Sequence, residues 1–312
     1  MAAHSARRAR VTYLTYTGLA AFLRRAPEPI ARLAAATVAL AMAKGRGMTV
    51  RMRVDHLRRV LRDVTGTEPD PEQVKRLTRR AFRAYARYWV EGARLPVLSR
   101  ELVHRRMWIE SGYDALAEGM AAGSGVVMAL PHVGSWEWGG SFLDGIGFHM
   151  TSVGEQLEPE DLTEWFIGQR EAMGLSVVPL GPEATGVLIK TLRGGGLVGL
   201  LCDRDIVGNG IEVEFFGERT TFSPGPATLA LRTGATLVTS AVFSGPGSNH
   251  HAIISGPIDL SRTGSFRADV SRITQEIARH FEDYIRRAPE QWHVFQPIWP
   301  SDREAELARG SG

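Results

Sequence analysis

Beyond about residue 110 the chain alternates short apolar runs with stretches of helical periodicity, and few folds accept that alternation. Residues 126–130, 150–153, 176–180, 197–202, 236–243 and 252–258 read as strands. Helical stretches at 113–122, 136–143, 162–173, 186–193, 226–233 and 271–287 lie beside or between them. Strands that alternate with helices build a largely parallel or mixed sheet with helices on both faces. Upstream, residues 51–65 and 71–92 read as helices. The second is announced by Asp70 as a cap with Pro71 in its first turn. Its stripe of Val74, Leu77, Ala81, Phe82, Tyr85 and Trp89 has helical spacing and reads as core packing. No repeat or low-complexity linker divides the chain. The expectation is one α/β domain over 1–312, a central mixed sheet covered on both faces, with residues 1–110 wrapped on the same core.

Charge is distributed unevenly. Residues 1–62 hold thirteen Arg and Lys against Glu28 and Asp55, a net +11, while the whole chain carries +3, so the remainder carries −8. A basic leader suits an anionic surface, either lipid headgroups or nucleic acid. The leader also carries Leu14, Leu19, Phe22 and Leu23, and in the apolar run after Pro27 and Pro29 the longest charge-free stretch, 33–43, is eleven residues. Spanning a bilayer takes roughly 20, and no small-residue cleavage site marks a signal peptide. Residues 1–45 therefore read as two short amphipathic helices, lying on a membrane face or packed on the core.

The chemistry concentrates at Pro131-His132-Val133-Gly134-Ser135-Trp136-Glu137, directly after the 126–130 run. An imidazole is a usable proton acceptor near neutral pH, and a carboxylate beside it fixes its tautomer and stabilises the imidazolium. His132 with Glu137 thus reads as a base able to activate a hydroxyl, or water, toward a carbonyl. Leu200-Leu201-Cys202-Asp203-Arg204-Asp205 sets charges just past another buried strand, and ligands of open α/β sheets bind at strand C-termini. Asp203 and Arg204 join His132 on that edge. Cys202, the only cysteine, reads as a buried, inert thiol. Phe215 and Phe216 read as the lining of an apolar pocket, and Ser223-Pro224 as a helix start facing the ligand edge. A structural turn accounts for the same residues equally well.

Other signatures carry less. No Gly-x-Ser-x-Gly elbow or Walker A sequence is present. Gly194–Gly199 satisfies Gly-x-Gly-x-x-Gly but precedes a strand, so it reads as a helix stop and tight turn. His250-His251 would point to opposite faces of a strand without ligand partners nearby, as surface or edge-strand residues.

Four ordered blocks, the strand-Pro-His-x4-Glu, Cys-Asp-Arg-Asp, Phe-Phe-Gly…Pro-Gly-Pro-Ala and Pro289-Glu290-Gln291-Trp292, together resemble the bacterial lipid A late acyltransferase family. Their order and spacing look closest to its phosphatidylinositol mannoside acyltransferase branch, over roughly residues 10–300. The resemblance implies an O-acyltransferase peripheral on the cytoplasmic face of the cell membrane, held by anionic inner-leaflet lipids and not by nucleic acid. It implies acyl-CoA as co-substrate, a mannosylated phosphoinositide as acceptor, and neither cofactor nor metal. It places His132 as general base, Glu137 as the acid orienting it, and Asp203 as an acid contacting the histidine or the acceptor. Glu155 and Arg170 match an acid and an arginine near the acceptor pocket. The branch carries Asp where this chain has Glu137, and Glu where it has Asp203. A lysophospholipid or a lipid A precursor with an acyl carrier protein donor, or a thioester hydrolase, are the rival activities. A non-enzymatic membrane or nucleic-acid binding protein is the rival class.

Overall fold

A computed structural model describes residues 2–45 and 47–310. Four helices come first: α1 (Ala2–Arg25), α2 (Glu28–Met42), α3 (Met48–Thr65) and α4 (Pro71–Arg94). Alternation follows: α5 (Arg100–Arg106), β1 (Met107–Ser111), α6 (Tyr113–Ala121), β2 (Val126–Leu130), α7 (Trp136–Gly145), β3 (Met150–Gly154), α8 (Glu160–Glu171), β4 (Leu175–Pro179), α9 (Ala184–Arg193) and β5 (Leu197–Leu201). The hairpin β6 (Ile211–Phe215) and β7 (Glu218–Phe222) leads to α10 (Gly225–Thr233). The chain closes with β8 (Thr236–Ser244), β9 (His250–Ile254), α11 (Phe266–Arg287) and α12 (Pro300–Gly310).

Seven strands form one sheet in the order β1-β9-β8-β2-β5-β3-β4. β8, β2, β5, β3 and β4 are parallel, while β9 runs antiparallel to β8 and carries β1 parallel to itself. The sheet is mixed, as expected. On central β2 and β5, Val127, Ala129, Val198 and Leu200 join the cluster under α9, α10 and α11. Val126, Met128, Leu130 and Leu197 join the opposite cluster under α5, α6 and α7. Burial on both faces is why these strands read as unbroken apolar runs. Gly139 and Gly140 let α7 lie close on the sheet: a Cβ at Gly140 would come within 2.6 Å of the Leu175 side chain.

The helical leader is anchored by charge as well as packing. Asp70 caps α4 by accepting from the Glu72 and Gln73 amides. Arg32 of α2 and Arg87 of α4 both grip the buried Glu91 carboxylate, at 2.5 and 2.7 Å. The same two guanidiniums donate to the Gly247 and Gly245 carbonyls of the β8–β9 turn, both at 2.7 Å. Arg24 of α1 donates to the Ala93 carbonyl at 2.7 Å. Part of the leader's positive charge is therefore structural. Arg7, Arg8 and Arg10 remain exposed on α1, together with Leu14, Leu19 and Phe22, each more than half exposed. Among the described residues no helix is long and apolar enough to cross a membrane.

Two sequence expectations change here. β1 and the β6–β7 hairpin appear where no strands were expected. His250 is neither superficial nor on an edge strand, because β9 is flanked by β8 and β1. His250 is 0% exposed and stacks on Trp138 with ring centroids 4.3 Å apart. Burial, then the guanidiniums of Arg87, Arg32 and Arg106, push its imidazole from 6.5 down to about 3. The unfolded chain thus binds a proton near pH 6.5 that the folded chain refuses, so stability falls as pH drops through that window. Between pH 6.5 and about pH 5 this one group costs about 2 kcal/mol. His250→Phe keeps the ring stack and is expected to lose that much less than the parent across this window, read from urea midpoints. Equal losses would contradict a buried neutral imidazole.

Candidate active site

The site is built where β2 and β5 end side by side. The Cys202 amide donates to the Leu130 carbonyl at 3.1 Å, which closes the ladder and brings residues 131–135 against residues 202–205. The 131–135 loop then bends into α7 through Gly134, whose φ is +59°. A Cβ there would sit 1.9 Å from the Val242 carbonyl oxygen, so only glycine passes this point. The Gly134 and Ser135 amides are both used, donating to the Gln291 and Val242 carbonyls at 2.8 and 3.0 Å.

His132 and Asp203 face each other across this junction. His132 Nδ1 lies 2.5 Å from Asp203 Oδ1, while the His132 backbone amide donates to Oδ2 at 3.0 Å. Trp292 Nε1 donates to the same Oδ2 at 2.9 Å. Burial alone pushes the Asp203 carboxyl up. The His132 charge and the donated bonds from His132 and Trp292 outweigh it, and the carboxyl is held below its ordinary value. A carboxylate can only accept, so Nδ1 carries the hydrogen and Nε2 keeps its lone pair. The imidazole side chain is 22% exposed while the carboxylate is fully buried. The ring is thus bonded through Nδ1 to a buried carboxylate and is itself partly exposed.

Glu137 occupies a different place from the one expected. From the first turn of α7 it bonds to other groups, and the bond that orients the imidazole comes from Asp203. Glu137 instead accepts from the Tyr88 hydroxyl at 3.0 Å and from Arg170 at 3.4 Å. Its Oε2 is buried without a hydrogen-bond partner. Arg170, from α8, also lies over the Trp136 ring at 5.2 Å. Burial, then Glu137, push the Tyr88 hydroxyl well above its ordinary value, so it is a fixed donor.

Glu155 and Arg204 also meet, at 3.5 Å. They border a polar cleft of about 180 Å³ with Asp205, Thr221, Gln296 and Arg303. The Arg204 Nε is buried without a partner. Ser223 binds into the same rim: its amide donates to the Cys202 carbonyl at 3.2 Å, and its hydroxyl accepts from the Gly225 amide at 3.3 Å. The Phe pair does not line a pocket. The hairpin turn folds Phe215 and Phe216 into the core at 0% and 5% exposure, where Phe215 stacks on Trp299 at 5.7 Å. Cys202 is buried, and burial lifts its thiol well above the ordinary range.

Sequence reasoning missed Tyr88 and Trp292 as members of the site. Tyr88 sits on the aromatic helix face of α4 that reads as core. Trp292 belongs to the last of the four blocks, but nothing in its neighbours signals a bond to a residue 89 positions away. Tyr85, Tyr88 and Trp89 continue outward to Phe166 of α8 and Tyr16 of α1, ring against ring at about 6 Å. Among the described residues no cluster of His, Cys, Asp or Glu could hold a metal ion.

The sequence profile of a family described as bacterial lipid A biosynthesis acyltransferase matches residues 3–301. A phosphatidylinositol mannoside acyltransferase of Mycobacterium tuberculosis is 38% identical over 261 residues, covering 81% of this chain and 79% of its own. One so named from Mycolicibacterium smegmatis is 36% identical over 256 residues, covering 81% of each.

Proposed function

The chain belongs to the bacterial lipid A biosynthesis acyltransferase family, and from that premise we propose that it moves a long-chain acyl group from acyl-CoA to a sugar hydroxyl of a phosphatidylinositol mannoside. The observation that carries this reading is the His132–Asp203 pair, a partly exposed imidazole bonded through Nδ1 to a buried carboxylate. The acceptor follows from the relatives, each named for acylating this lipid class.

In the proposed reaction, His132 Nε2 takes the proton from the acceptor hydroxyl as its oxygen attacks the thioester carbonyl. Asp203 stabilises the imidazolium that forms without itself taking the proton. The tetrahedral adduct collapses, the carbon–sulfur bond breaks, and the coenzyme A thiolate recovers the proton from Nε2. Coenzyme A thiolate is a good leaving group, so no strong general acid is required. The Gly134 and Gly225 amides are already spent, on the Gln291 carbonyl and the Ser223 hydroxyl, so the proposal assigns the oxyanion's backbone donors to the first turn of α7. Glu137, held by Tyr88 and Arg170, keeps one buried oxygen for a hydroxyl of the acceptor, and Glu155, Arg204 and Ser223 border the headgroup. The protein works peripherally on the cytoplasmic membrane face. The exposed Leu14, Leu19 and Phe22 with Arg7, Arg8 and Arg10 rest on anionic lipid, and the aromatic series from Tyr16 to Tyr88 leads from that surface to the site.

Purified protein with radiolabelled palmitoyl-CoA and mannosylated phosphoinositide is expected to give acylated glycolipid, with turnover falling ~10³-fold or more in His132→Ala. Free fatty acid as the sole product, with or without acceptor, would make the protein a hydrolase. Full activity in His132→Ala would remove the mechanism. Leu19→Asp with Phe22→Asp is expected to abolish co-flotation with anionic vesicles while leaving the fold intact. Undiminished flotation would place the membrane contact elsewhere.

A further inference from the structure

Behind His132 runs segment 289–293, tied down at Pro289, Gln291, Trp292 and His293 by groups far away in sequence. Arg53 of α3, 0% exposed, donates to the Pro289 carbonyl. The Gln291 side chain accepts from the Ser244 amide at 2.7 Å and donates to the Ser244 carbonyl at 3.0 Å. The Gln291 carbonyl receives the Gly134 amide at 2.8 Å, and the His293 amide donates to the His132 carbonyl at 2.7 Å. Between those two ties, Val133 and Trp292 form an antiparallel bridge, and the Trp292 indole reaches past His132 to Asp203 Oδ2.

We infer that Trp292 is a positioning residue for the acyl transfer proposed above, its indole N–H holding the Asp203 carboxylate so that Oδ1 meets the His132 ring and the basicity of Nε2 is set. The inference rests on His132 acting as the base. Three donors share one buried carboxylate: the indole and the His132 amide on Oδ2, and the ring on Oδ1. Each donor draws on the same negative charge. Without the indole, Oδ2 keeps a single N–H, and more of that charge is left to stabilise the imidazolium. The proton then binds more tightly and Nε2 is a base over a narrower pH range. The indole itself has little freedom, because His56, Phe215 and Trp299 ring it at 5.4, 5.9 and 6.0 Å. Phe216 lies beside it at 6.4 Å, so Phe215 and Phe216 pack the site from behind.

Other titratable groups around the pair leave the neutral range clear. Burial pushes His293 down to about 3, His56 below its ordinary value, and the Cys202 and Tyr88 protons well up. Arg53 is lowered by burial to about 9. Glu137 and Arg170 face each other across the loop.

The test is a proton–nitrogen NMR titration of the His132 ring, assigned with His132→Gln, in the parent, in Trp292→Phe, and in protein carrying benzothienylalanine at 292. That analogue keeps the bicyclic shape and lacks the N–H, so it decides the matter if Trp292→Phe fails to fold. Both replacements are expected to raise the His132 midpoint by about half a pH unit or more. In the transfer assay they are expected to move the acid limb of kcat by the same amount, with KM for acyl-CoA little changed. An unmoved midpoint in the analogue overturns the inference even where activity falls, since lost packing alone would not shift it. Because the titration needs no substrate, its failure is separable from a failure to find acyl transfer.

Discussion

A single buried carboxylate holds the ligand-facing rim of this protein together. Asp203 is fully excluded from solvent, and an isolated ionised carboxyl in such a place is strongly unfavourable. It is tolerated because three N–H groups point at it, from the ends of two different segments. The consequence runs both ways. The carboxylate fixes the His132 tautomer, and the need to satisfy the carboxylate fixes the 131–135 loop and segment 289–293. Removing any one donor leaves a buried charge short of a partner, a larger loss than the bond itself contributes.

Around that centre the helical leader does more than cover the sheet. Its arginines clamp Glu91 and the β8–β9 turn, so the apolar, basic outer face of α1 and α2 is rigidly related to the strand ends. Beneath them, α4 supplies Tyr85, Tyr88 and Trp89, which link α1 with the Glu137–Arg170 group. Both substrates of the proposed reaction carry chains that reside in a membrane. On that proposal, a surface helix joined to the site by packed rings would shorten their path.

The sheet's centre was legible because β2 and β5 are buried on both faces and read as uninterrupted apolar runs. β1 was not: Met107–Ser111 lies on the sheet edge and exposes most of its residues, so its pattern has no apolar run to find. His132 stood out because a histidine directly after a buried strand has a defined place at the ligand edge. Its partner was harder. Glu137 is five residues away in sequence, but α7 turns it toward Tyr88 and Arg170, whereas Asp203 arrives through strand pairing from 71 positions on. Strand adjacency in space, β2 beside β5, decides the pairing, and a single sequence does not reveal strand order. The same limit hid Trp292, and it made His250 read as superficial when β1 and β8 enclose it.

If His132 and Asp203 act as one unit, their losses cannot add. The most direct test is a double-mutant cycle on kcat for acyl transfer with His132→Ala, Asp203→Asn and the pair, in protein shown to be folded by thermal unfolding. The account predicts that the double variant is no slower than His132→Ala alone, since an orienting acid has nothing left to orient. A double variant slowed by the product of the two single effects would mean that Asp203 serves the reaction independently of the imidazole, and would contradict the central claim.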